Sequence, residues 1–271
     1  MAMERNSIFE NSVSEFFQYS QIHGYTYQLY RKRYNTERDI YYMKLNSMIE
    51  SLILGLKEKT YDWIFWADSD TIIANPNIKL ETFLPIGEDG YEEGNDNKED
   101  GNEEEKEKVK EKQKEEPRQH SNSNSIHFIA SDDENGLNAG VYLIRVHPWS
   151  LNLLMRAMTY SYYHEEEALR YSDQSSLSHI LMESEEEEHY VIVPQHWFNS
   201  YLHTYHRGDF LIHFAGEADK DWRARDIRMK LRHHISRYTA KTSKEMRKEV
   251  LEYYRLPRED QHQIRYQEKK K

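Results

Sequence analysis

The 271-residue chain contains no cysteine, so neither a disulfide framework nor a thiolate metal site is open to it. Nor does any stretch approach the roughly 18 consecutive apolar residues that a membrane-spanning helix needs. Residues 1–14 are polar and lack the apolar core of a secretory signal. As written, the chain is expected to be soluble. Apolar side chains are scarce, at 37% against 31% charged. One stretch causes much of that imbalance: residues 87–125 hold fourteen Asp/Glu and seven Lys/Arg, and so supply −7 of the net −11. The remainder is only mildly acidic and can bury the core of one large α/β domain or two small ones. An acidic balance also argues against nucleic acid as a partner.

Residues 87–125 are built from Glu, Lys, Asn and Gly with almost no apolar side chains. Such a segment cannot offset the entropy of folding, and it reads as a disordered acidic insertion with a transient helix over 103–116. Residues 183–188 form a smaller acidic insertion. Elsewhere the apolar pattern alternates between two periods. Spacings of three and four predict helices over 14–19, 41–56, 149–163 and 173–182. Short apolar runs at 63–67, 126–130, 140–146, 190–193 and 210–214 suit strands buried on both faces. Strands alternating with helices imply an α/β sandwich around a largely parallel sheet. Residues 219–271 carry seventeen Lys/Arg against nine Asp/Glu. Helices over 223–234 and 243–254 are expected there, packed on the edge of the domain with solvated basic faces.

The sharpest chemical feature is Trp66-Ala67-Asp68-Ser69-Asp70-Thr71. In extended backbone, residues two apart share a side, so Asp68 and Asp70 would aim at one point with Ser69 turned away. The pair falls just beyond a buried strand, where open α/β sheets place their ligands. Two hard oxygen ligands with open positions suit Mg²⁺ or Mn²⁺ bound together with a diphosphate. With 48 acids in the chain, about eight acid-x-acid triplets arise by chance. The position after a buried strand separates this one from the rest.

The segment from Tyr61 through Pro76 resembles the metal-binding strand of glycosyltransferase family 34, the fungal galactosyl- and mannosyltransferases and plant xyloglucan xylosyltransferases. The likeness continues in order. His23-Gly24-Tyr25 comes first, then Lys44 in the following helix, then Gly136-Leu137-Asn138-Ala139-Gly140-Val141-Tyr142 with Trp149-Ser150. Asp173-Gln174-Ser175-Ser176-Leu177, Val193-Pro194-Gln195 with Asn199-Ser200-Tyr201, and Ile212-His213-Phe214-Ala215-Gly216 complete it.

The resemblance implies a GT-A-type, Rossmann-like α/β/α sandwich with a mostly parallel central sheet. Nothing before Phe16 looks like the family's opening strand, so that first strand is expected to be missing. The implied domain plan is a catalytic domain over 1–222, interrupted by the insertion at 87–125, with a basic helical extension over 223–271. The implied activity is retaining transfer of a hexose from a nucleotide sugar, UDP-galactose or GDP-mannose, to a glycan or glycoprotein acceptor. Mn²⁺ (or Mg²⁺) would be held by Asp68, Asp70 and His213. Lys44, Asp68, Ser69, Asn138, Gly140 and Gly216 would contact the donor. Asp173 and Gln174 would flank the anomeric carbon, with Gln174 stabilising the positive charge that develops there. The resemblance also implies a Golgi location and complexes with related glycosyltransferases, although no signal or anchor is seen in the sequence. The rival expectation is a truncated, non-catalytic paralogue that keeps the pocket as a glycan-binding or scaffold protein.

Overall fold

A computed structural model describes residues 7–31, 33–34, 36–86, 125–183 and 185–264. Most of the expected acidic insertion, with its transient helix over 103–116, therefore lies outside the described residues. Helix α1 (Ile8–His23) begins at a Ser7 cap whose side chain accepts from Glu10 N, and ends at Gly24 in the left-handed region, φ 74°. Helix α2 (Met43–Glu58) follows a 3₁₀ turn over Ile40–Tyr42. Its Gly55 lies so close to the neighbouring elements that an added Cβ would sit 2.7 Å from the Tyr61 ring. Then come β1 (Trp63–Ala67), β2 (Thr71–Ile73), β3 (Phe128–Asp133), β4 (Gly136–Arg145), α3 (Pro148–Tyr163) and α4 (Ser172–Leu181). The chain continues with β5 (Tyr190–Val193), β6 (Ser200–Tyr201), β7 (Leu211–His213), α5 (Lys220–His233), α6 (Ile235–Tyr238) and α7 (Ser243–Tyr254).

The strands form two sheets rather than one. The larger has the order β1-β4-β3-β5 and the smaller β2-β7-β6. In the larger sheet β1, β3 and β5 run the same way while β4 runs against them, so two of its three ladders are antiparallel. The sheet is mixed where the sequence pattern implied mostly parallel pairing. The reason is local: β3 and β4 are a hairpin closed at Glu134-Asn135-Gly136, with Gly136 at φ 99°. The expected strand over 210–214 is β7, which belongs to the smaller sheet.

Alternate residues of the larger sheet feed two cores. Phe128, Ala130, Tyr142, Ile144, Tyr190 and Ile192 pack with Leu45, Met48, Leu153, Leu154, Leu177 and Leu181 of α2, α3 and α4. Ile129, Val141, Leu143, Val191 and Val193 face the other way, onto Phe83, Trp197, Phe198 and Phe210. Helix α7 completes that second layer through Met246, Val250, Tyr253 and Tyr254. Its buried Arg247 donates to the carbonyls of Thr82 and Leu84 at 3.1 and 2.5 Å. A segment expected at the edge thus supplies core. A Thr242–Glu245 capping box starts α7.

Candidate metal and donor site

Strand β1 belongs to the larger sheet and β2 to the smaller, and the chain crosses between them at Asp68-Ser69-Asp70. This crossing is a turn rather than extended backbone. Thr71 Oγ1 donates to Asp68 O at 2.8 Å, and Phe214 N donates to Asp70 O at 2.9 Å. The turn brings both carboxylates to one side by a different route from the two-residue period. Ser69 between them is exposed. Because β7 pairs with β2, its last residue, His213, arrives opposite Thr71. One ligand atom from each of Asp68, Asp70 and His213 falls within 4.8 Å of the others.

The imidazole is held by a chain of buried amides. The N–H of Gly140 can only donate, and it donates to Asn138 Oδ1 at 2.9 Å. Asn138 Nδ2 therefore faces Asp133 Oδ2 at 3.1 Å and the Tyr201 hydroxyl at 2.6 Å. Asn138 Oδ1 also accepts from Asn199 Nδ2 at 3.0 Å, which turns Asn199 Oδ1 toward His213 Nδ1 at 2.8 Å. An oxygen acceptor there puts a proton on Nδ1. Nε2, 3.4 Å from Asp70 Oδ1, is left either to carry a second proton or to ligate a cation. Two carboxylates and an imidazole presented in this way fit a divalent cation with oxygen and nitrogen ligands.

Cations of the protein already crowd these carboxylates. Lys220 Nζ is 2.5 Å from Asp70 Oδ2. Burial would raise the pKa of Asp70, but the His213 imidazole and the Lys220 ammonium outweigh it and hold the carboxyl well below the usual range. Lys44, largely covered on α2, lies 3.1 Å from Asp173 Oδ2 and 3.7 Å from Asp68 Oδ2, and donates to Ala139 O at 3.0 Å. Burial works against its charge, yet Asp68 and Asp173 raise its pKa. Burial also pushes Asp173 up to about 6, against the pull of Lys44. The next side chain, Gln174, accepts from Ala139 N at 3.0 Å, tying the start of α4 to β4.

The galactosyl transferase GMA12/MNN10 family model matches residues 2–220. The chain belongs to that family. Two Schizosaccharomyces pombe proteins are similar to it. One, an uncharacterised α-1,2-galactosyltransferase, is 26% identical over 164 residues. The other, an α-1,2-galactosyltransferase, is 25% identical over 174 residues. Each match spans 57% of this chain and 41% of the relative, so the chain covers about two fifths of the length of either. Among solved structures, a glycosyltransferase involved in glycosylation of the major capsid of PBCV-1 superposes with TM-score 0.52 at 12% identity. That match covers 84% of this chain and 96% of the other and establishes a shared GT-A-like fold.

Most of the residues singled out by the family's motifs are brought together in this fold. Lys44, Asp68, Asp70, Asp173 and His213 are linked through the contacts above. Asn138 is buried with its amide atoms taken by protein groups, and Gly140 packs under His213. Gly216, at φ 67°, has nothing within 4 Å of an added Cβ and stands in the turn after Phe214. Sequence reading assigned no role to Lys220 or Asn199. Asn199 lies within a quoted motif but carries no ligand signature, and Lys220 is 150 residues from its partner.

A Cβ on Gly140 would lie 2.3 Å from His213 Cε1 and 3.1 Å from Asn138 Oδ1. Both neighbours are buried and hydrogen-bonded, so neither can yield cheaply. Gly140→Ala is expected to destabilise the fold by about 1–3 kcal/mol. Thermal melts read the change; an unaltered midpoint would show that the ring has room to move.

Proposed function

We propose that this chain is the glycosyl-transferring core of a metal-dependent retaining α-hexosyltransferase. The observation that carries the reading is the convergence of Asp68, Asp70 and His213 beside the Lys44–Asp173 pair. Asp68, Asp70 and the Nε2 of His213 would hold Mn²⁺ or Mg²⁺. A cation there would supply positive charge to the donor diphosphate and polarise its bond to the sugar. Lys44 adds a buried positive charge on the same side, and Lys220 is near enough to exchange its carboxylate partner for phosphate oxygen. Asp173 and Gln174 would face the anomeric carbon, and Gln174, being neutral, stabilises positive charge there without attacking it. Ser69 and Gly216 would present backbone and hydroxyl groups to the donor. Asn138 and Gly140 act chiefly through His213, by setting its tautomer and leaving it space.

Kinship to α-1,2-galactosyltransferases favours UDP-galactose over GDP-mannose, and a glycan or glycoprotein as acceptor. Family membership also supports work in the Golgi alongside related transferases. Among the described residues no helix is long and apolar enough to cross a membrane.

Thermal denaturation with UDP or GDP, with Mn²⁺ and with EDTA, tests the reading. A ligand at 100 times its dissociation constant should add about 2.7 kcal/mol, and EDTA should abolish the gain. Absence of a shift with both nucleotides would leave a non-catalytic role as the better account. The amide chain makes a separate demand. Asn199→Ala is expected to weaken Mn²⁺ binding about 10–100-fold by titration calorimetry, because His213 loses the acceptor that orients it. Unchanged affinity would remove Asn199 from that role.

A further inference from the structure

Beyond the metal and donor groups, a cavity of about 360 Å³ opens between the residues leading into α2 and the end of α3. Arg38, Asp39, Tyr42, Tyr162, Leu169 and Ser172 line it together with Glu37 and Ser161. Ligand cavities run from about 300 to 1,000 Å³, so this one is sized for a single ring. The Arg38 guanidinium lies between two phenol rings, 3.8 Å from the Tyr42 centroid and 5.0 Å from that of Tyr162. Its hydrogen bond among the described residues goes to Ser161 Oγ at 3.3 Å, and a guanidinium has five N–H donors. Tyr162 keeps 63% of its surface exposed, which for a large aromatic leaves a ring face open to a ligand.

A second observation points to the same place. Ser172 has φ 41°, a conformation that residues other than glycine rarely adopt. Its hydroxyl donates to Asp39 Oδ2, and the Tyr42 hydroxyl shares a 2.9 Å hydrogen bond with Ser176 Oγ. The strained residue joins the cavity wall to Asp173, which follows it in the chain and contacts Lys44. Strain held at a ligand-facing position is a mark of a functional wall.

Resting on the transferase reading, we propose that this cavity is the acceptor subsite and receives a neutral pyranose ring of the acceptor glycan. The wall chemistry selects the ligand class. One arginine against two carboxylates gives a net negative lining, which disfavours phosphate and other anions. Aromatic rings and Leu169 suit the C–H face of a sugar. The planar Arg38 guanidinium, with more N–H donors than its bond to Ser161 uses, suits the vicinal hydroxyl oxygens of a sugar. Ser172 on the cavity wall is followed in the chain by Asp173, which contacts Lys44 at 3.1 Å, so the cavity and the Lys44–Asp173 pair share the start of α4.

Saturation-transfer NMR with the full chain tests this. The probes are methyl α-mannopyranoside and methyl α-galactopyranoside, with sorbitol as an open-chain polyol that has no ring face. Wild type should transfer saturation to at least one glycoside and not to sorbitol. Tyr162→Ala and Arg38→Met should each reduce the signal at least fivefold, with folding verified by circular dichroism. Trp222→Ala, an exposed change on α5, should retain it. Asp68→Asn should also retain it while losing the Mn²⁺-dependent nucleotide shift, which separates failure of the subsite from failure of the transferase reading. No signal from either glycoside in wild type, or equal signals in wild type and folded Tyr162→Ala and Arg38→Met, overturns the proposal.

Discussion

Replacing Lys44 with Met will destabilise the protein by about 3–5 kcal/mol at pH 7.5, the cost of leaving a buried carboxylate without its counter-charge. Asp173 is buried and Lys44, with 11% of its side chain exposed, nearly so, 3.1 Å away, while the other partner of Lys44, Asp68, is about a third exposed and can turn to water. The loss should shrink on acidification. Asp173 already has its pKa raised to about 6 by burial, above its ordinary value of 3.8. A carboxyl whose folded-state pKa is raised binds its proton more tightly in the folded protein. Its contribution to stability is therefore complete below about pH 4 and is lost as pH rises through about 6. Removing the Lys44 ammonium raises that pKa further, so the variant should recover much of its deficit at pH 5. Urea titrations at the two pH values measure this. Lys44→Met combined with Asp173→Asn should be less damaged at pH 7.5 than Lys44→Met alone, because an amide needs no counter-charge. A deficit equal at both pH values, and unchanged in the double variant, would mean that the lysine serves packing only.

The second large effect concerns chemistry. Asp68→Asn should lower transfer, or donor hydrolysis, about 10³-fold, equivalent to about 4 kcal/mol of lost transition-state stabilisation. Stability should change by about 1 kcal/mol or less, because the carboxylate is partly exposed and Asn can still accept from Trp66 Nε1, which lies 2.8 Å from Asp68 Oδ1. Calorimetry with Mn²⁺ should show weakened binding in parallel. An Asp68→Asn protein within threefold of the parental rate would end the metal assignment.

These two predictions were legible to different degrees. The apolar run Trp63–Ala67 announced a strand, and the position of Asp68 and Asp70 announced two carboxylates close together at its end, since both signals are local. The helical periods located α2, α3, α4 and α7 to within a few residues for the same reason. The β3–β4 hairpin was missed although its signal was present. Asn135-Gly136 is a favoured hairpin dipeptide, but the alternation of strand and helix elsewhere suggested parallel connections. The packing of α7 was hidden by its charge, because Lys and Glu dominate its exposed face while Met246, Val250, Tyr253 and Tyr254 turn inward. Lys44 could be read as a phosphate contact through the family pattern. Nothing in its neighbourhood disclosed that it is buried against Asp173, 129 positions away in the chain.

By itself the sequence determined which groups are available and where regular elements form: the carboxylate pair after a strand, the ordered family motifs, and the helices with their caps. Those are local properties, set by side-chain type, backbone preference and periodicity. Only the tertiary structure decided that the carboxylates converge through a turn between two sheets, and that β7 carries His213 to meet them. It alone also decided that Gly140 directs a run of amides ending at the imidazole. Each of these depends on groups tens to hundreds of residues apart, and their relative positions are set when strands pair and cores close, which no local pattern encodes.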